Sequence, residues 1–272
     1  MSGLELTPDD EVGRERALEE NLDYADPLRH LMHGADEGDD GPATDVTVLP
    51  PPSLLPEQRP SVLGDTITLA FPDPVAHKGA QPVNIQLKVD ASPGCGGMHW
   101  PAGQTLANYL AWRGAHALAG RTAVELGAGT GLVGFVAGAL GASVLITDQA
   151  PLLPLMHENT ALNAPVLEGR VRVAELNWGE PLPEALQGPV DLVLAADCVY
   201  FEPAFPLLVH TLVALAREDT EVLFCYKKRR KADKRFFNLL KKHFTWSEVL
   251  DDPARPVYSQ EAISLFRLYR RH

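Results

Sequence analysis

The residues best suited to chemistry in this 272-residue sequence stand at the ends of apolar runs. Glu125-Leu126 closes the run Thr122–Leu126, Gly127, Gly129 and Gly131 follow at alternate positions, and a helix-like run begins near Leu132. Glycines at such a turn let the backbone bend sharply and approach a ligand, and a helix N-terminus adds free N–H groups. Asp148 ends the next run, Asn177-Trp178 the third, and Asp197-Cys198-Val199-Tyr200 completes the fourth, which reads LVLAAD. Two chemistries compete for the loop. Gly129, Gly131 and Gly134 satisfy GxGxxG, and Asp148 lies 19 residues beyond Gly129, as a nicotinamide-dinucleotide fold would require. In that fingerprint, however, the first glycine closes the strand, whereas here the strand closes two residues earlier, on an acid. A carboxylate aimed into the crevice would repel a pyrophosphate and suit a cationic ligand such as a sulfonium amino acid. The registration therefore favours S-adenosyl-L-methionine over a dinucleotide. Asp148 is placed to accept two ribose hydroxyls. An indole at Trp178 could stack on adenine while Asn177 bonds its edge, although a tryptophan near a strand end is more often core. Asp197 either faces the crevice or caps the following helix.

These side chains need a scaffold that brings strand ends together. Apolar runs at Thr122–Leu126, Ser143–Thr147, Val171–Leu176, Val190–Ala196 and Glu221–Tyr226 alternate with helix-like runs at Leu132–Leu140, Pro151–Leu162, Phe205–Ala216 and Ala232–His243. Unalternated apolar strands separated by helices imply a parallel sheet covered on both faces. Open α/β sheets bind ligands at the carboxyl ends of their strands, where Glu125, Asp148 and Asp197 fall. Upstream, Ile67, Leu69 and Phe71, then Val83, Ile85, Leu87 and Val89, alternate with other residues and predict a β-hairpin. SPGCGGMHWPAG reads as a glycine-rich turn and Gln104–Ala117 as a helix. Downstream, Phe244–Leu250 and Ile263–Arg270 read as two strands of a hairpin with no helix between them. The expected fold is α/β, a Rossmann-like seven-stranded sheet with helices on both faces and an N-terminal hairpin extension.

Charge divides the chain. Residues 1–60 carry 15 Asp and Glu against 4 Lys and Arg, so nearly all of the net charge of −12 resides there. With prolines at 50, 51, 52, 56 and 60 and little apolar bulk over Gly34–Asp45, this arm is expected to be disordered, and residues 61–272 to form one domain. A near-neutral body excludes a generic polyanion binder. No run of about 18 apolar residues is present, so no membrane span is expected. MSGLELTPDDEV lacks the pattern of a secretion signal. Cys95, Cys198 and Cys225 are too few and scattered for a disulfide framework or a zinc site, which fits the reducing cytosol. No metal is expected.

The pieces GCGGMHWPAG, VELGAGTGLVG, ITD, NW and LAADCVYFEPAFPLL together resemble the seven-β-strand methyltransferases, and within them the protein-lysine methyltransferases called methyltransferase family 16. The likeness spans roughly residues 64–270. CYKKRRKADKRFFNLLKKHF, residues 225–244, resembles the fungal members that act on translation elongation factor 1A. The resemblance implies cofactor contacts from Trp100, Glu125, Gly127, Gly129, Gly131, Asp148, Trp178 and Asp197. It implies a D-x-x-Y box, Asp197 and Tyr200, facing the substrate lysine. Many relatives carry Asp where this chain has Asn177, which can still accept a hydrogen bond. The implied protein is a cytoplasmic monomer with a protein substrate and no nucleic acid. A lysine with an ordinary pKa near ~10.4 must lose a proton before it attacks a methyl group. Asp197 would attract the ammonium and Tyr200 hold or relay its proton, with orientation favoured over general-base work. The basic stretch Lys227–Lys242, nine Lys and Arg against Asp233, reads as a solvated helix face, a docking patch for an acidic protein surface, or, least in keeping with its composition, a nucleic-acid site.

Overall fold

The computed structural model describes residues 66–72, 82–90, 97–231 and 233–271. The acidic arm, Cys95 and the loop expected to join the first two strands lie outside the described residues. β1 (Thr66–Phe71) and β2 (Val83–Lys88) pair antiparallel as a separate two-stranded sheet. The main sheet holds β3 (Thr122–Leu126), β4 (Ser143–Asp148), β5 (Val171–Glu175), β6 (Leu192–Ala196), β7 (Glu221–Lys227), β8 (Phe244–Glu248) and β9 (Ile263–Arg270). Their order is β5-β4-β3-β6-β7-β9-β8. The first five pair in parallel, and β9 runs antiparallel between β7 and β8. The chain moves outward from β3 through β4 to β5, then returns to β6 on the other side of β3. That reversal opens a crevice at the carboxyl ends of β3 and β6.

Burial explains why the strands carry no polar alternation. Successive side chains of a strand point to opposite faces. Leu192 and Leu194 join a core with Leu106 and Phe135, while Val193 and Ala195 join another with Leu208 and Phe236. The first face is covered by α1 (Pro101–Arg113), the one-turn α2 (Ala115–Leu118) and α3 (Leu132–Ala139). The second is covered by α6 (Phe205–Leu215) and α7 (Lys234–Leu240). The remaining helices are α4 (Leu153–Leu162), α5 (Ala164–Leu167) and α8 (Arg255–Tyr258).

Three expectations are corrected. The first helix starts at Pro101, inside the segment read as a turn, because proline has its φ preset for the first helical position and lacks only an N–H that would be unpaired there. It stops at Gly114, which takes φ +71 and returns its N–H to the carbonyls of Leu110 and Ala111. The C-terminal strands do pair, but α8 and a 3₁₀ turn over Ser259–Glu261 lie between them. The basic stretch is no continuous helix face: β7 extends to Lys227, α7 begins only at Lys234, and Arg230 and Asp233 between them are 5% and 1% exposed.

Candidate functional site

The glycine-rich loop leaves β3 with Gly127 at φ +57, Gly129 at φ +55 and Gly131 at φ +87. Gly127 is required twice over. Its backbone is left-handed, and a Cβ there would stand 2.9 Å from Cζ2 of Trp178 and 3.3 Å from Sγ of Cys198. Gly134, in the first turn of α3, lets that helix close onto the sheet, since a Cβ would meet Ile146 at 2.2 Å. This close approach allows Glu125 Oε2 to accept the Gly134 N–H at 2.8 Å. Asp148 ties the loop to the neighbouring strand end: Oδ2 accepts Gly129 N–H at 2.8 Å and Oδ1 accepts Gln149 N–H at 2.7 Å. Ala128 N–H donates to the Thr147 carbonyl at 2.9 Å.

A cavity of about 850 Å³ opens over these strand ends. It is lined by Trp100, Glu125, Gly127, Gly129, Asp148, Trp178, Asp197 and Tyr200 together. Gly131 is not in the lining. It forms the N-cap of α3, and a Cβ there would press on the Phe135 ring at 2.7 Å. The acids differ in their surroundings. Burial pushes the Glu125 carboxyl up to about 8, opposed by the Gly134 N–H and reinforced by the charge of Asp148. Burial also raises Asp148, against the hydrogen bonds from Gly129 and Gln149. Both acids therefore lie where a nearby cation would favour the ionised form that burial disfavours. Cys198 and Cys225 are buried free thiols whose pKa burial drives well up, so neither is poised as a thiolate nucleophile.

Asp197 is organised differently. It ends β6 in a left-handed conformation, φ +56, with its N–H bonded to the Cys225 carbonyl at 2.9 Å. Its carboxylate caps no helix of its own loop. Oδ1 accepts Nη1 of Arg229 at 2.7 Å, and Oδ2 accepts Nη2 at 3.0 Å and the Ala102 N–H at 3.4 Å. Side-chain exposures of 8% for Arg229 and 4% for Asp197 make this a desolvated ion pair.

Sequence reasoning missed two sets of residues. The first lies in the basic stretch, where Arg229 grips Asp197, Arg230 Nη2 donates to the Tyr200 carbonyl at 2.8 Å, and Arg235 pairs with buried Glu202 at 2.6 Å. Asp233 fixes the turn by accepting the N–H groups of Arg229 and Arg230 and the Tyr226 hydroxyl. The second is Asn159 on α4 and Asn163, which caps that helix one turn further on. Their amides bond the edge of β2 at Lys88 and Gln86, and Asn159 Nδ2 also donates to the Thr130 carbonyl in the glycine-rich loop at 3.0 Å. A pair of asparagines at i and i+4 was the available signal, since it puts two amides on one helix face.

Comparison with known proteins agrees with this arrangement. Residues 80–243 match the family model described as lysine methyltransferase. The chain is 39% identical over 246 residues to the protein-lysine N-methyltransferase EFM6 of Saccharomyces cerevisiae, covering 78% of this chain and 99% of that one. It is 36% identical over 212 residues to the protein N-lysine methyltransferase METTL21A of Mus musculus, covering 77% and 95%. It is 39% identical over 147 residues to the EEF1A lysine methyltransferase 3 of Mus musculus, covering 53% and 62%. The 16S rRNA methyltransferase RsmC of T. Thermophilus shares the fold at TM-score 0.52 and 17% identity, over 77% of this chain and 51% of that one. With the sheet order, the loop and the family model in agreement, the chain belongs to the lysine methyltransferase family of S-adenosyl-L-methionine-dependent enzymes.

Proposed function

We propose that this enzyme methylates a lysine of translation elongation factor 1A in the cytoplasm, using the cavity over β3, β4 and β6. The observation that carries the reading is the convergence on one cavity of the glycine-rich loop, two acids and the Asp197–Tyr200 box. The choice of substrate is supported by the likeness to a relative whose name specifies EEF1A. Two buried free thiols fit a reducing compartment.

The cavity suits the cofactor chemically. The loop offers backbone at close range because Gly127 and Gly129 leave no side chains in the way. Asp148 uses one acceptor position of each oxygen on a backbone N–H, Gly129 for Oδ2 and Gln149 for Oδ1, and keeps the other for a ribose hydroxyl. Asn177 spends its amide donors on Glu175 and Glu180, so its Oδ1 is the atom left to accept from the adenine edge beside Trp178. Glu125 and Trp100 frame the amino-acid and methionine portion. When bound, S-adenosyl-L-methionine supplies an electrophilic methyl group on a sulfonium.

What the protein contributes is position and dryness. The leaving group is neutral, so no acid is required, and holding the amine in line at a desolvated site supplies the acceleration. Asp197 and Tyr200 orient the lysine nitrogen; the proton is lost before attack, not transferred during it. Incubating the purified chain with labelled cofactor, intact elongation factor 1A and a short lysine peptide tests the reading. The wild type should label a lysine of the factor, and Asp197→Ala should lower kcat/KM by ~10²-fold or more while changing cofactor affinity only slightly. Failure to label any lysine of the factor would remove it as the substrate.

A further inference from the structure

Arg229 holds the carboxylate that the proposed reading assigns to the substrate. It reaches Asp197 through both terminal nitrogens, at 2.7 and 3.0 Å. Its own placement is rigid: its N–H donates to Asp233 Oδ2 at 3.1 Å, Nη1 also reaches the Lys227 carbonyl at 3.4 Å, and its guanidinium carbon stands 5.9 Å from the centroid of the Trp100 ring. An ionised carboxylate has about four acceptor positions. Arg229 takes two and the Ala102 N–H one, leaving one.

This occupancy decides which form of lysine the site welcomes. A bare desolvated carboxylate attracts an ammonium strongly and favours the protonated amine, which cannot attack. A carboxylate already paired with a guanidinium presents little net charge, and its single remaining acceptor position suits one N–H of a neutral amine. We infer that Arg229 is a positioning residue for methyl transfer, cancelling the charge of Asp197 so that Asp197 orients the substrate amine without holding it as ammonium. The inference rests on the reading of Asp197 as the substrate-facing acid. Arg230 and Arg235, on the Tyr200 carbonyl and Glu202, hold the rest of that loop in register.

The charge claim is testable without any protein substrate. S-adenosylmethionine carries one more positive charge than S-adenosylhomocysteine, and Asp197 lines the cavity that receives both. Calorimetry should give a cofactor-to-product affinity ratio raised roughly threefold or more in Arg229→Gln, where Asp197 is uncompensated. The ratio should be lowered in Asp197→Asn, where the guanidinium is left alone, and restored in Arg229→Lys and in the Asp197→Asn/Arg229→Gln double variant. If Arg229→Gln does not fold, Asp197→Asn against the double variant decides the sign. Ratios that do not move, or that move the same way in both single variants, overturn the inference. With a lysine substrate, Arg229→Gln should lower kcat without raising KM, and Arg229→Lys should recover most of it. Wild-type transfer with an undiminished kcat in Arg229→Gln overturns the inference alone. A wild type that labels no lysine overturns the reading of the site, and with it the kinetic half of the inference.

Discussion

Glu125→Gln should abolish a pH dependence that the fold carries under its glycine-rich loop. Glu125 is 3% exposed, and burial raises its pKa from 4.5 to about 8. Between those values the native chain holds a proton that the unfolded chain has released. Stability follows the protons bound unfolded minus those bound native, so here it falls as the pH rises. Each pH unit costs about 1.4 kcal/mol, and the climb from about pH 6 to 8 costs the wild type about 2–3 kcal/mol relative to the variant. In a domain of this size that is about 5–10 °C in Tm. Glutamine keeps an oxygen for the Gly134 N–H but buries an amide donor without a partner, a cost of about 1–3 kcal/mol that does not vary with pH. Urea unfolding of both proteins without cofactor, at about pH 6, 7 and 8, isolates the effect because titrating groups that do not interact with Glu125 cancel in the difference. The variant should gain steadily on the wild type. A gap that stays constant across the range would refute the assignment of a buried, protonated Glu125.

Other outcomes follow from the same geometry. Asp148→Ala should weaken cofactor binding at least ~10-fold, since it removes charge-assisted hydrogen bonds worth about 1.5–3 kcal/mol; calorimetry showing unchanged affinity would exclude the ribose role. Gly127→Ala should lower stability by about 1–2 kcal/mol for the left-handed backbone alone and displace Trp178, read as a fall in Tm with weaker cofactor binding. Deleting residues 1–60 should leave cofactor affinity unchanged and Tm within about 5 °C, because that segment offers little apolar area for a core; a larger fall would mean that the arm packs on the domain.

The half of the site nearest β3 and β4 was legible because its signals are local. Glycine spacing, a strand ending on Glu125 and a second on Asp148 all lie within 24 residues, and the parallel pairing of β3 with β4 sets them side by side. The Asp197–Arg229 pair was not legible. Its members are 32 residues apart, and only the register of β6 with β7, continued by the Asp197 N–H on the Cys225 carbonyl, brings them together. Nine basic residues among the 16 of Lys227–Lys242 suggest solvent, yet Arg229 and Arg230 point inward. The clue was one of matching: the acids Asp197 and Glu202 after β6 face Arg229, after β7, and Arg235, on α7. The early start of α1 had a local signal too, since proline is enriched at the first helical position and Pro101 precedes the apolar helical run.

The two sides of the cavity therefore handle charge in opposite ways. On the β3–β4 side, Glu125 and Asp148 are satisfied by backbone N–H groups, which stabilise a carboxylate without cancelling its charge. Burial raises both acids, Glu125 far enough to hold a proton near neutrality, and in the proposed reading a sulfonium amino acid supplies the cation that favours their ionised forms. On the β6 side, Asp197 already has its counter-cation in Arg229. A positive ligand gains by settling at the first pair and gains little at the second. In the proposed reaction that asymmetry is what transfer needs: the methyl donor enters as a cation and is held as one, while the lysine meets an acid with no appetite for its ammonium form. Exchanging the two environments would leave the donor's positive charge uncompensated and hold the lysine as ammonium, with no nucleophile.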